Sequence, residues 1–403
     1  MKDIEKHYGD VLALGQALPA EKVPVFDALG RVLAEDLSTR FAVPPFTNSA
    51  MDGFAVRASD VANSLSLEVT GDIPAGSTKV PDLPAGTAMR IMTGAPIPKG
   101  ADSVIQVEHT EKSDENMRHE APSFVTFTQT VRPGSNVRKR GEDVPAGQPL
   151  IPAGTRLGPG HLSALVSVGY GEVSVVRRPV IGIVTTGEEL RDAGDDLAPG
   201  QIPDSNIVLL NALVTQAGGI AKPLAYHGDD PEGFEKQLRV LIDHVDMIVT
   251  AGGVSMGAFD VVKESLGEID FCKVKMQPGK PQGFGKLKGK PVICLPGNPV
   301  SVLVSWYLFG KPLVDKIEGV TPRPFTELFE PRTVGAGWAR KPGRVQLMPI
   351  IAKDGKVLPA SHGGSKSHFV ASTFGATGIA MVPAEVAQIN AGEEIPVLWF
   401  GGN

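Results

Sequence analysis

The stretch Val180-Ile181-Gly182-Ile183-Val184-Thr185-Thr186-Gly187 decides the fold class of this chain. A nearly continuous apolar run that ends in two threonines and a glycine is typical of a strand buried on both faces and followed by a tight loop. Downstream, helix and strand patterns alternate, which predicts a three-layer α/β domain with a mostly parallel sheet. We expect helices over residues 207–216, 231–245 and 300–309, and strands over residues 221–226, 246–250 and 291–295.

Three loops of small and polar residues follow strands of this predicted domain. They are Thr185-Thr186-Gly187, Gly252-Gly253-Val254-Ser255 and Pro296-Gly297-Asn298. Ligands of parallel sheets bind beyond the carboxyl ends of the strands. We therefore expect these loops to lie together at one edge of the sheet.

Both flanks of the α/β region carry short alternating runs interrupted by glycine and proline. Ser66-Leu67-Glu68-Val69 is typical of a small upstream β domain, and Arg344-Val345-Gln346-Leu347 predicts another such domain after residue 321. An amphipathic pattern predicts a helix at the N-terminus. We also expect a short helix over residues 28–33 and a solvated hairpin tip over residues 111–120.

Composition excludes several classes of protein. Among 403 residues, 39 are lysine or arginine and 45 are aspartate or glutamate, a net charge of −6, whereas proteins that coat nucleic acid are usually basic. Apolar residues make up 42%, so a disordered chain is excluded. Cys272 and Cys294 match no zinc motif and no disulfide framework, which predicts reduced thiols in a cytoplasmic protein. The uncharged run over residues 291–310 is split by Pro296-Gly297-Asn298-Pro299, so we expect buried core there and no membrane span.

Common catalytic signatures are missing from the sequence. It has no GxxxxGK[ST] phosphate loop, no GxGxxG after a strand and no HExxH zinc motif. The remaining candidates are small-residue loops, each with two interpretations. Residues 252–260 form either a cradle for an anion or a tight turn with Asp260 as a helix cap. Pro278-Gly279-Lys280-Pro281 offers an ammonium group or is a hairpin turn, and residues 296–301 present donors to an oxyanion or simply begin a helix.

Carboxylates accompany these loops. Asp230 fits a helix cap before a proline, which leaves Asp229 for chemistry. The pair Glu188-Glu189 follows a strand and is either solvated or able to reach a metal-bound phosphate. Residues 138–143 and 48–53 are polar stretches that also fit a solvated face and a turn. Together these features predict a site for a phosphorylated anion, with carboxylates that could hold Mg²⁺.

Seven motifs, in family order, resemble the MoeA family, the molybdopterin molybdenumtransferases. They are Pro44-Pro45-Phe46-Thr47-Asn48-Ser49-Ala50-Met51-Asp52-Gly53-Phe54-Ala55-Val56, Ile91-Met92-Thr93-Gly94-Ala95-Pro96, Arg140-Gly141-Glu142-Asp143, Thr186-Gly187-Glu188-Glu189-Leu190, Gly252-Gly253-Val254-Ser255-Met256-Gly257, Pro278-Gly279-Lys280-Pro281 and Leu295-Pro296-Gly297-Asn298-Pro299-Val300-Ser301.

The resemblance implies an elongated dimer, with the active site between the α/β domain of one subunit and domains of the other. It divides the chain into an N-terminal helix that packs with the α/β domain (1–19), a linker domain (20–40 and 141–177), an inserted β-rich domain (41–140), an α/β molybdopterin-binding domain (178–322) and a C-terminal β-barrel domain (323–403).

The implied reaction inserts molybdate into adenylylated molybdopterin, releases AMP, depends on Mg²⁺ and takes place in the cytoplasm. Implied partners are the two substrates, a second copy of the chain and, transiently, molybdopterin adenylyltransferase and the apo-proteins of molybdoenzymes. Neither nucleic acid nor a membrane is expected as a partner.

Residues at the family's motif positions inherit roles from the resemblance. It implies catalytic roles for Asp52, Thr93, Asp143, Glu189, Asp229, Asp260 and Lys280. It implies Mg²⁺ ligation by Glu189, Asp229 and Asp260. Substrate binding is implied for Ser49, Thr186, Gly187, Ser205, Gly252, Gly253, Ser255, Lys275, Pro296, Gly297, Asn298, Pro299, Ser301, Arg344 and Ser372, with Lys280, Ser301, Arg344 and Ser372 nearest to molybdate.

Two departures from the family pattern concern the molybdate site. Many relatives have lysine where this chain has Gln277, so one expected cation is missing, and Lys275 is a candidate to replace it. Relatives often have asparagine where Thr377 stands, which affects the alignment that assigns Ser372.

Two other functions fit parts of the sequence. The α/β domain alone resembles molybdopterin adenylyltransferase, but that enzyme has no need of the two β domains or of Met51-Asp52-Gly53. The related animal protein gephyrin suggests a scaffold without catalysis, although no receptor-binding module or long linker is recognisable.

Overall fold

The computed structural model describes residues 1–116, 120–226, 231–252, 269–361 and 370–401, and these carry all structural statements below. None of the helices in these ranges is long and apolar enough to span a membrane. The helices are α1 (Ile4–Leu12), α2 (Ala58–Asn63), α3 (Ser113–Asn116), α4 (Pro159–Ser167), α5 (Ser205–Gln216), α6 (Pro231–Asp243), α7 (Pro299–Ser305) and α8 (Lys311–Ile317), and a π-helical turn (Trp306–Gly310) joins the last two.

The strands fall into three groups along the chain. The first group comprises β1 (Ala20–Pro24), β2 (Leu37–Ser38), β3 (Asn48–Ser49), β4 (Gly53–Val56), β5 (Ser66–Ile73), β6 (Thr87–Ile91), β7 (Ser103–Gln106), β8 (Phe124–Thr126), β9 (Val137–Arg138), β10 (Pro149–Ile151) and β11 (Glu172–Val176). The second comprises β12 (Val180–Thr186), β13 (Leu190–Arg191), β14 (Ile202–Pro203), β15 (Ile220–Tyr226), β16 (Met247–Ala251), β17 (Ile269–Lys273), β18 (Met276–Gln277), β19 (Pro281–Leu287) and β20 (Lys290–Leu295). The third comprises β21 (Glu330–Thr333), β22 (Trp338–Ala339), β23 (Val345–Lys353), β24 (Lys356–Pro359), β25 (Gly378–Val382), β26 (Gln388–Ile389) and β27 (Glu394–Trp399).

The central sheet has the strand order β15-β12-β16-β20-β19-β17. The first three pairings are parallel and the last two are antiparallel. All five residues of β16 are buried, because apolar layers cover both faces of the sheet. Helix α6 supplies Phe234 and Leu238 to one layer, whereas α5 supplies Leu210 and Val214 to the other. The α/β architecture predicted from the alternating pattern is therefore present.

Two pairs of antiparallel strands, called the frame below, flank the upstream β sheet along the chain. Strand β1 pairs with β11, and β2 pairs with β10, so the chain leaves this frame and returns to it. The intervening sheet has the order β7-β4-β6-β5-β8, and apolar clusters around Phe54 and Met89 cover its faces. The inserted, β-rich character expected of this region agrees with the observed pairing.

The C-terminal sheet is joined to the α/β region by a strand pair. Its order is β18-β23-β25-β27-β21, with β24 also paired to β23. A parallel bridge between Val334 and Val357 brings the end of β21 to β24. Because β18 pairs with β23, the segment at Met276 and Gln277 forms part of both regions.

One local expectation is wrong, and a second is correct only in part. The residues after Asp27 form no helix up to Leu33: Gly30 has φ of +74°, and Val32 and Leu33 form bridges with the frame. A glycine in the left-handed region ends a helix. The backbone N–H and C=O groups that follow then hydrogen-bond to the frame. The charged stretch predicted as a solvated hairpin tip is exposed at most of its described positions, but it contains α3, where Asn116 is buried and its amide donates to Thr110 at 2.8 Å.

Candidate functional site

Three strand ends meet at one edge of the central sheet. A Cβ atom on Gly252 would lie 2.7 Å from the carbonyl oxygen of Thr186, and one on Gly297 would lie 3.4 Å from Cα of Gly252. Gly252 has φ of +97°, and its N–H donates to the carbonyl of Leu295 at 3.3 Å. Only glycine fits so close to the neighbouring backbone in this conformation. The predicted convergence is thus confirmed for the described members of the three loops.

A buried pair of side chains at the start of α5 supports this edge. Asp204 caps the helix by accepting from the N–H of Ile207 at 3.1 Å, and it also accepts from Oγ1 of Thr185 at 2.5 Å. Asn206, 8% exposed, donates through Nδ2 to the carbonyl of Gly297 at 2.6 Å. Its Oδ1 atom is buried and has no hydrogen-bond partner within the part of the chain that the structure describes. These contacts join strand β12, helix α5 and the loop before α7.

The other predicted residues at the edge differ in exposure. Glu189 is exposed, and its carboxylate lies over Gly187, where a Cβ atom would come within 2.6 Å of Oε2. Ser205 is exposed at the first position of α5, whereas Ser301 in α7 is buried. Within the loop before α7, Pro296 is buried, Gly297 and Asn298 are exposed, and Pro299 opens the helix.

The loop at residues 278–280 is fixed by a buried glutamine. Nε2 of Gln282 donates to the carbonyl of Gly279 and to Oγ of Ser305, both at 2.8 Å. The carbonyl of Lys280 accepts from the N–H of Val274 at 2.7 Å. The backbone that carries Lys280 is therefore held from both sides.

A side-chain contact joins this loop to the C-terminal sheet. Nη2 of Arg344 donates to Oε1 of Gln277 at 2.9 Å. Beside it, the N–H of Val345 donates to the carbonyl of Lys275 at 3.1 Å. The backbone of Lys275 thus lies beside that of Val345, the residue after Arg344, and Gln277 joins the two regions through its side chain.

The predicted residues of the upstream region form a separate group. The N–H of Thr93 donates to Oδ1 of Asp52 at 2.6 Å, and both residues are exposed. Ser49 is fully buried and its hydroxyl donates to the carbonyl of Met51 at 2.5 Å, so the hydrogen bond of its side chain is local. Asp143 is exposed. Among the described residues, no hydrogen bond or ion pair joins this group to the edge of the central sheet.

Comparison with known proteins identifies the family. Residues 3–169 match the MoeA N-terminal region (domain I and II), residues 182–316 a probable molybdopterin binding domain, and residues 332–400 the MoeA C-terminal region (domain IV). The chain belongs to the MoeA family.

Relatives of known name cover nearly the whole chain. Molybdopterin molybdenumtransferase 2 of Mycobacterium tuberculosis is 36% identical over 98% of this chain and 99% of its own length. Molybdopterin molybdenumtransferase of Haemophilus influenzae is 34% identical over 92% of this chain and 91% of its own length. The crystal structure of the molybdopterin biosynthesis MoeA protein from Pyrococcus horikoshii has a TM-score of 0.81, 31% identity and full coverage of both chains.

Several residues that the MoeA resemblance singled out lie outside the described residues. They are Asp229, Gly253, Ser255 and Asp260, together with the proposed helix cap at Asp230. The backbone at Ser372 lies in a short 3₁₀ helix (Val370–Thr373), and its side chain is not described. The structure therefore leaves their roles as predictions.

Sequence reasoning did not select Asp204 and Asn206. Asp and Asn just before a helix usually signal an N-cap. Nothing in the neighbouring sequence shows that these two side chains also hydrogen-bond to a strand and to a distant loop. In the same way, the contact between Gln277 and Arg344 joins residues 67 positions apart.

Proposed function

We propose that this chain is a molybdopterin molybdenumtransferase, which inserts molybdate into adenylylated molybdopterin and releases AMP. The observation that carries the proposal is the joint presence of two features in a MoeA-family chain. One is the glycine-lined sheet edge at Thr186, Gly252 and Gly297, and the other is the cation-bearing loop that contacts Arg344. Relatives named for this activity align over nearly the entire chain, which supports the same assignment.

The two features suit different parts of the reaction. Gly252 and Gly297 let the three loops pack closely at the sheet edge, and the loop that opens α7 can offer backbone N–H groups to phosphate oxygens. Cationic side chains at Lys275, Lys280 and Arg344 suit a dianion such as molybdate. Donors fixed before the reaction stabilise the charge that develops on the phosphate as AMP leaves.

Magnesium is part of the proposal. Of its three proposed ligands only Glu189 lies among the described residues, which contain no cluster of three or more possible metal ligands. An exposed carboxylate beside Gly187 offers the hard oxygen donor that Mg²⁺ prefers. Glu189 would hold the ion with Asp229 and Asp260, and the ion would supply charge neutralisation at the phosphate.

The proposed active site includes a second subunit. Asp52, Thr93 and Asp143 are exposed and have no described contact with the sheet edge of their own chain. A homodimer would bring the upstream region of one copy to the α/β region of the other. The catalytic roles of these three residues rest on that arrangement.

The finer organisation of the chain is proposed as well. We retain the domain boundaries at residues 19, 40, 140, 177 and 322, and a C-terminal barrel that the bridge between Val334 and Val357 would close. We place the protein in the cytoplasm, where the unpaired Cys272 and Cys294 would remain reduced. Molybdopterin adenylyltransferase and apo-molybdoenzymes are proposed as transient partners.

The ligand bound in cells tests the function. We expect the protein purified from molybdate-starved cells to carry adenylylated molybdopterin, identified by mass spectrometry. Molybdopterin without AMP, together with ATP-dependent adenylylation by the purified chain, would instead favour the adenylyltransferase. An empty protein that still binds other macromolecules would favour the scaffold.

A further inference from the structure

Three cationic residues accompany Gln277: Lys275, Lys280 and Arg344. Within the described ranges, no carboxylate lies within ion-pair distance of Lys275, Lys280 or Arg344. A cluster of uncompensated cations attracts anions. To hold the Arg344 guanidinium in place without cancelling its charge, the site needs a neutral hydrogen-bond acceptor.

The amide of Gln277 meets that requirement. Its Oε1 atom accepts from Nη2 of Arg344 at 2.9 Å and uses one of the five N–H donors of the guanidinium. An amide oxygen anchors one N–H of the guanidinium and leaves the full positive charge of the group available. A glutamate at the same position would pair with Arg344 and neutralise it.

Hydrogen bonds hold the backbone on both sides of this contact. Strand β18 pairs in parallel with β23, with Met276 beside Val345 and Gln277 beside Gln346. On the other side of Gln277, the loop is held by the buried Gln282. The distance between the two side chains is therefore set by the fold.

A second guanidinium lies close to Arg344. Arg340 donates to the carbonyl oxygen of Arg344 and, through Nη1, to the carbonyl of Pro383 at 2.8 Å. Burial lowers the pKa of Arg340, and the nearby charge of Arg344 lowers it further. The neutral amide of Gln277 adds no further positive charge beside Arg344.

We propose that Gln277 is a positioning residue that orients Arg344 toward the bound oxyanion of the reaction. The proposal rests on the proposed function, in which that oxyanion is molybdate. Gln277 acts through Arg344 and sets the affinity for the anion, so its effect appears in the half-saturating molybdate concentration more than in the maximal rate.

A double-mutant cycle tests whether Gln277 acts through Arg344. We expect Gln277→Met to raise the half-saturating molybdate concentration severalfold and Arg344→Met to raise it about tenfold, the scale of one charge-assisted hydrogen bond. In the Arg344→Met background, Gln277→Met should add nothing. A shift of the same size in both backgrounds would overturn the proposal, as would a Gln277→Met curve identical to that of the unmodified protein.

Two further variants sharpen the result. Gln277→Glu should weaken molybdate binding more than Gln277→Met, because it neutralises Arg344; equal or tighter binding would contradict the proposal. Gln237→Met, at an exposed position of α6, is the matched control and should change nothing.

Direct binding separates this proposal from the proposed function. Equilibrium dialysis against molybdate, with molybdenum measured in each chamber, needs no turnover. Suppose that the unmodified protein makes no cofactor, but dialysis shows that Gln277→Met weakens molybdate binding only when Arg344 is present. The proposed function then fails and the role of Gln277 stands. If the protein makes cofactor and Arg344→Met binds molybdate normally, the role of Gln277 fails and the function stands.

Discussion

The backbone N–H of Thr93 donates a 2.6 Å hydrogen bond to Oδ1 of Asp52. This bond fixes the loop after β6 against the loop between β3 and β4, and it leaves the carboxylate exposed. An asparagine retains an oxygen in the same place, so it can accept the same bond while it removes the charge.

We therefore expect Asp52→Asn to remain folded and to lose most cofactor synthesis, by about a hundredfold if the charge acts on the transition state. Asp52→Ala loses both the charge and the hydrogen bond and should also melt at a lower temperature. Thermal melting and cofactor formation, measured on the same samples, separate the two effects. A near-normal rate for Asp52→Asn would remove this residue from the site.

Asn206 allows stability to be separated from activity. Its Nδ2 bond to Gly297 stabilises by about 0.5–1.5 kcal/mol, whereas a buried acceptor without a partner costs about 1–3 kcal/mol. Asn206→Leu removes both contributions, so we expect the free energy of unfolding to change between a loss of about 0.5 kcal/mol and a gain of about 2.5 kcal/mol.

The loop at Gly297 loses its anchor in this variant, so the half-saturating concentration of adenylylated molybdopterin should rise. Urea denaturation and substrate titration check the two expectations. A loss of stability above about 2 kcal/mol would mean that Oδ1 is satisfied in solution, for example by water.

A partly buried ion network couples the frame to the α/β region. Arg156 contacts Oδ1 of Asp315 at 3.0 Å and Oε2 of Glu318 at 2.5 Å. Burial raises the pKa of Glu318, which is 5% exposed, although the charge of Arg156 opposes the shift. Arg156→Met leaves that carboxylate buried without its guanidinium, and because Arg156 is itself 34% exposed the cost should fall below the value of about 3–5 kcal/mol for a fully buried pair.

The pH dependence of this cost has a definite sign. A carboxyl whose folded pKa is raised destabilises the fold when ionised, and the penalty disappears as the pH falls through that pKa. The deficit of Arg156→Met should therefore be largest near pH 7.5 and should shrink toward pH 5. Urea denaturation at several pH values measures it; a deficit that grows at lower pH would contradict the role of Glu318.

His7 should make the fold sensitive to mild acid. Burial and the neighbouring charge of Lys2 lower the pKa of its imidazole to about 4, and the ring packs edge-on against Phe284 and Phe309. The unfolded chain takes up the proton near pH 6.5, so stability is lost as the pH falls from 6.5 toward 4, by up to about 3 kcal/mol.

The variant His7→Leu cannot take up this proton. We expect it to lose less stability between pH 7 and pH 5 than the unmodified chain. Denaturation curves at the two pH values provide the comparison. Equal losses in both proteins would show that His7 does not contribute to the acid sensitivity.

Local sequence patterns predicted the elements of the α/β region well. The apolar run from Val180 forms β12, and the amphipathic pattern after Pro231 forms α6, because burial dictates both patterns. The same reasoning failed after Asp27, where Gly30 and pairing across the frame outweigh helix propensity. Tertiary contacts decide such weak segments.

The candidate site was predicted only in its outline. Glycines after strands located the sheet edge, because a parallel sheet brings the strand ends together. The bond from Asn206 to Gly297 joins residues 91 positions apart, and the bond between Gln277 and Arg344 spans two regions of the fold. Neither contact leaves a signal in the local pattern, so only the three-dimensional structure reveals them.

The reaction itself tests the proposed function most directly. The purified chain is mixed with adenylylated molybdopterin, Mg²⁺ and increasing molybdate, and AMP release and active cofactor are both measured, the latter by reconstitution of an apo-molybdoenzyme. We predict that AMP and cofactor appear in equal amounts and that both depend on molybdate. Release of AMP without cofactor, or no conversion at any molybdate concentration, would contradict the assignment of this chain as a molybdenumtransferase.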